Sequence, residues 1–62
     1  MTIEGVPYYR YRVTFRLASG ARRRWMRWSP GFPWVFHEVG RELFERFGEQ
    51  GVKPGSCSID AA

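Results

Sequence analysis

Arg10, Arg12, Arg16, Arg22, Arg23, Arg24 and Arg27 place seven guanidinium groups in one short segment, and no acidic residue interrupts them. The chemistry open to such a cluster is anion recognition. A guanidinium presents a planar, permanently charged fork that matches phosphate and stacks on rings, whereas lysine supplies only a point charge. Nine of the ten basic residues are arginine, and Lys53 is the exception. Segment 10–27 carries +7; the rest, with three basic and six acidic residues, carries −3, which gives the net +4. The chain therefore has two parts of opposite electrostatic character.

The remaining reactive side chains are sparse. Cys57 is the only cysteine and His37 the only histidine, which excludes an intramolecular disulfide framework and a cysteine-based zinc site. No signature links the two as a catalytic dyad. Cys57 is expected as a small buried residue on a terminal strand, and His37 at the boundary of a helix face. Glu38, Glu42 and Glu45 share one helical stripe, which reads as a solvated face. The glycines are scattered, so no phosphate loop is present. Neither an enzyme, nor a cofactor, nor a metal site is expected.

These residues must be positioned by a very small scaffold. At 62 residues, with 44% hydrophobic and 18% aromatic composition, the chain reads as one domain near the size where a single core is only marginally sufficient. The N-terminus has no apolar run suited to a signal peptide, and no segment approaches the ~18 apolar residues of a membrane span. A soluble, cytoplasmic protein is the expectation.

From Tyr9 onward the residues alternate, with Tyr9, Tyr11, Val13, Phe15 and Leu17 on one side and Tyr8, Arg10, Arg12, Thr14 and Arg16 on the other. This is a strand period. "ASGA" supplies a turn and "RRRWMRW" a returning strand, so residues 8–28 are predicted to form a hairpin. Two registers compete. A two-residue Ser19-Gly20 turn pairs Val13 with Met26, whereas a three-residue Ala18-Ser19-Gly20 loop with a glycine bulge pairs Val13 with Trp25. Turn chemistry favours the second. The core favours the first, because it places Met26 and Trp28 inside and keeps Arg27 out. In that preferred register Arg23, Trp25 and Arg27 join the basic face, Arg12 opposes Arg27, Arg16 opposes Arg23, and Arg22 and Arg24 on the nominal inner face either project past the core as a basic tip or salt-bridge the helix's glutamates.

"SPGFPW" cannot continue a central strand. A helix is predicted over 33–48, with Phe36, Val39, Gly40, Leu43, Phe44 and Phe47 on its apolar arc. Pro33 suits its first turn and Gly48 its C-cap, while Glu42 and Arg46 form an i,i+4 pair. Gly40 is expected to admit close approach of a ring from the sheet. Trp28, Phe32 and Trp34 read as an aromatic lid on the core, with Trp34 itself exposed as a partner anchor. A short third strand at 56–60 completes a two-layer α+β fold, β-β-α-β, in strand order 2-1-3.

The helix covers one sheet face and leaves the other open. Basic groups interleaved with rings suit nucleic acid, since arginines displace counterions from phosphates and rings stack on bases. The expected function is binding of DNA or RNA by an accessory or regulatory protein, through Tyr8, Arg10, Arg12, Thr14, Arg16, Arg22, Arg23, Arg24, Trp25 and Arg27. The alternative is a protein-interaction module or small inhibitor that docks its basic hairpin or aromatic loop on an acidic partner. A binder of an acidic small molecule or a membrane surface is a weaker reading, because no basic amphipathic helix is present. The unpaired outer strand edges make a homodimer a further option.

Overall fold

The computed structural model describes residues 1–62. Its main sheet has three antiparallel strands, β3 (Tyr9–Arg16), β4 (Arg22–Ser29) and β5 (Ser58–Ala61), in the order β4-β3-β5. Helix α1 (Phe32–Phe47) packs on one side. This is the two-layer α+β domain and strand order expected from the sequence, with an addition. Thr2–Ile3 (β1) and Val6–Pro7 (β2) form a separate two-stranded ribbon. Glu4 and Gly5 both take positive φ, 50° and 80°, as a two-residue hairpin loop matched to strand twist requires.

The hairpin register is the one turn chemistry favours. Val13 pairs with Trp25, Arg12 with Met26 and Arg16 with Arg22. The loop is Ala18-Ser19-Gly20, closed by hydrogen bonds from the Leu17 N–H to the Ala21 carbonyl and from the Gly20 N–H to the Leu17 carbonyl, both 2.8 Å. Gly20 has φ 95°, a conformation that costs glycine little and other residues much. The alternative register, with Met26 and Trp28 inside, is therefore incorrect. A one-residue slip exchanges the two faces of β4, so Trp25, Arg27 and Ser29 point toward the helix while Met26 and Trp28 lie on the open face.

The buried core consists of Val13, Phe15, Val35, Val39 and Leu43, with Tyr11, Leu17, Trp25, Phe47, Val52 and Ile59 packed around it. Val35, Val39 and Leu43 recur at four-residue spacing and make one narrow stripe. The expected arc was rotated: Phe36 and Phe44 are 63% and 61% exposed, and Val35 is fully buried in their place. Beyond its chain neighbours and the adjoining helix backbone, Gly40 meets no atom within 4 Å of where a Cβ would stand, so no ring of the sheet approaches it. The aromatic lid does not form either, since Trp28 and Phe32 are exposed, while Trp34 is exposed as expected.

Buried Ser29 donates to the Gly31 carbonyl at 3.2 Å, and Pro33 occupies the first turn of α1. At the far end the Gly48 N–H reaches the Phe44 carbonyl at 2.9 Å with φ 78°, a glycine C-cap. The chain returns to β3 in two steps. Val52 bridges Leu17, the Lys53 N–H donates to the Arg16 carbonyl at 2.9 Å, and the Ser56 hydroxyl accepts from the Arg16 N–H at 3.1 Å. β5 then pairs Ser58 with Thr14 through Ala61 with Tyr11. Cys57 lies just before it and is exposed rather than buried. Partial desolvation raises its thiol pKa above the ordinary value, which keeps it in the less nucleophilic form. No helix is long and apolar enough to cross a membrane.

Candidate nucleic-acid interface

Strand alternation sorts the arginines into two populations. Because Tyr11, Val13 and Phe15 face the helix, Arg10, Arg12, Thr14 and Arg16 face away from it. On β4, Trp25 packs against the core and Arg27 reaches the helix, so Arg22, Arg24, Met26 and Trp28 lie on the open face. The cross-strand rows there are Arg10 with Trp28, Arg12 with Met26, Thr14 with Arg24, and Arg16 with Arg22. On its other side Arg12 faces Asp60 and Thr14 faces Ser58. Five arginines thus share the uncovered face. Tyr8 stands just before β3 and is partly buried.

Arg23, Trp25 and Arg27, placed on the open face by the sequence reading, are on the helix side. Trp25 meets Phe15 edge-to-face at 4.8 Å between centroids and stacks with Phe47 at 6.4 Å, so its ring is occupied by the core and is not free to stack on a base. The Arg27 guanidinium forks onto Glu42, with Nη2 at 2.8 Å from Oε1 and Nε at 3.2 Å from Oε2. It also lies 4.6 Å from the centre of the Trp25 ring. Arg46 adds a second contact to Glu42 at 3.2 Å and lies 5.2 Å from the same ring. The hydrogen bond from Arg27 holds the Glu42 carboxyl below its ordinary pKa, against partial desolvation and with help from the charges of Arg27 and Arg46. This cluster satisfies Arg27, which the fold turns inward beneath the helix.

The open-face arginines are different: Arg10, Arg12, Arg16, Arg22 and Arg24 form no salt bridge. Arg16 and Arg22 stand directly opposite one another, an arrangement that like charges destabilise. At this end Thr14, Phe15, Arg16, Arg22, Arg23, Arg24 and Ser56 line an open cleft of about 580 Å³. Arg23 joins it at its rim, with Nη1 on the Arg22 carbonyl at 3.3 Å. Four arginines therefore converge on one concavity, with the Thr14 and Ser56 hydroxyls as additional polar groups. Such a site can accept phosphate oxygens without first breaking a protein ion pair.

Apolar groups on the same face are few. Trp28 is 46% exposed beside Arg10, and Met26 is 45% exposed beside Arg12. The sequence reading missed Trp28 as a face residue because it followed core volume rather than the glycine loop that sets the register. Comparison with protein-family models, curated proteins and solved structures finds no match to this chain.

Proposed function

We propose that this protein binds nucleic acid, DNA or RNA, through the open face of its sheet, chiefly by contacts to phosphate. The supporting observation is the division among the arginines. Arg27 and Arg46, on the helix side, share the carboxylate of Glu42, whereas the five gathered on the open face, like Arg23 and Arg41 elsewhere, have no salt bridge. A surface built for solubility would mix signs. This one sets five arginines against the single carboxylate of Asp60, opposite Arg12, and holds none of them in a salt bridge.

The balance of rings and charges shapes the mode of binding. With Trp25 in the core, Trp28 is the one exposed ring in the cross-strand rows, so base stacking contributes at a single position and phosphate neutralisation dominates. Binding of that kind positions a strand or duplex without reading its sequence. The protein is then an accessory or regulatory factor in a cytoplasmic setting, and not an enzyme.

Salt titration of binding to random-sequence duplex and single strand tests this reading. If four or five arginines each neutralise one phosphate, log K against log salt falls with a slope of about −4 on duplex. A slope near zero, or no binding at low salt, makes the face a docking surface for an acidic protein instead.

A further inference from the structure

The side of the molecule away from β4 carries a second surface that the monomer does not use. Phe32, Phe36 and Phe44 lie along one flank of α1, each more than half exposed, with Gly40 between the last two. Phe32 and Phe36 already touch, at 6.1 Å between ring centres. The helix wheel places Glu42, and with it β4, on the opposite flank. The aromatic flank therefore turns away from Glu42 and Arg27, and the outer edge of β5 has no strand beside it. A glycine in mid-helix is unfavourable unless something approaches it. Nothing in this chain does.

We propose that the missing neighbour is a second copy of this chain, joined edge to edge through β5 with the aromatic flanks of the two helices packed across the two-fold axis, Gly40 against its counterpart. Charge selects this surface from the alternatives. The outer edge of β4 carries Arg22, Arg23, Arg24 and Arg27, so two such edges would set arginine against arginine. The β5 sequence, SIDA, has no basic residue, and Phe32, Pro33, Phe36, Gly40 and Phe44 are uncharged. Of the two outer edges of the main sheet, this is the one on which a chain of net charge +4 meets its own copy without that repulsion.

Register follows from the same argument. Centring the pairing on Ile59 sets Ile59 opposite Ile59 of the partner subunit beneath the helices. Ser58 then faces Asp60 of the partner subunit on the open side, which avoids opposing two aspartates. On the usual ~150 to 250 Å² per aromatic residue, the three phenylalanines, each a little over half exposed, offer roughly 250 to 450 Å² per copy. The strand edge supplies further area toward the ~800 Å² per partner of a standard interface.

The product is a continuous six-stranded antiparallel sheet with both helices on one side and both arginine faces on the other. Each copy's five free arginines then form half of one surface. That doubled footprint rests on the proposed function, while the assembly itself does not.

Sedimentation equilibrium of the whole chain, with Gly40→Gln and Phe44→Glu variants, tests the assembly. Both positions are open in the monomer, so circular dichroism should show an intact helix in each. The parent should reach twice the 7.3 kDa mass of one chain, and both variants should dissociate at least tenfold more readily. Trp34→Ser, on another side of the helix, should associate like the parent. A parent that stays monomeric at millimolar concentration, or variants that associate as well as the parent, would overturn the assembly. The duplex salt slope, measured alongside, separates the two ideas. A dimer that binds no nucleic acid keeps the assembly and removes the proposed function, and a monomer with a steep slope does the reverse.

Discussion

At the scale of single residues, Glu42 explains how a sheet this basic can place an arginine under its helix. Arg27 occupies an inward position of β4, and the fork it makes onto Glu42, backed by the Trp25 ring, supplies the partner that partial burial demands. Because the Glu42 pKa is lowered on folding, its contribution is complete above the ordinary value of 4.5 and is lost as pH falls through the lower folded value. The thermal midpoint of the parent should decline below pH 4.5, and Glu42→Gln should flatten part of that decline. In Glu42→Gln at neutral pH, stability should drop by about 1 kcal/mol. An unchanged midpoint and acid profile would show that the pair contributes nothing. Neither partner was assigned this role from sequence, because Arg27 looked costly in a core. Glu42 four residues before Arg46 was legible as a pair, and its reach across to β4 was not.

At the scale of elements, strand alternation and turn chemistry made the hairpin and the helix recognisable, but the face each one buries depended on its neighbour. Seven helix positions, Val35, Phe36, Val39, Gly40, Leu43, Phe44 and Phe47, cover far more arc than a three-stranded sheet can bury. The periodicity fits two adjacent stripes, and only the packed fold selects Val35–Val39–Leu43 over Phe36–Gly40–Phe44. The β4 face has a similar history. Gly20 in its left-handed conformation fixed the register against the apparent preference of Met26 and Trp28 for the interior. Leu43→Ala should therefore cost about 2 to 5 kcal/mol, enough to unfold much of so small a domain. Phe36→Ala, at a protein concentration low enough to exclude association, should cost under about 1 kcal/mol. Chemical denaturation of the two variants checks this, and equal losses would mean that the helix is rotated from its observed setting.

At the scale of the whole molecule, the sheet divides the chain into a neutralised layer and a charged one, and under the proposed function the charged layer links stability to binding. The +7 segment was plain in the sequence, whereas the arginines that stay free were not, since that depended on a one-residue difference in register. The consequence is sharpest at Arg16 and Arg22, which face each other across the strands beside the cleft. Their repulsion weakens the free protein and is relieved when a polyanion lies over them. Replacing both with threonine, a good strand former, should raise the thermal midpoint by a degree or two, as expected for a few tenths of a kcal/mol in a domain of this size. The same change should weaken nucleic-acid binding and make the salt slope shallower by about two. Arg41→Gln, which removes an arginine on the solvent side of the helix, serves as the control and should leave the slope within about one unit of the parent. If the double variant is more stable but binds like the parent, the cleft is not where phosphates sit, and the search moves along the strands to Arg10 and Trp28. If it is no more stable and still loses affinity, repulsion between the two arginines is already screened in the free protein, and binding alone accounts for their placement.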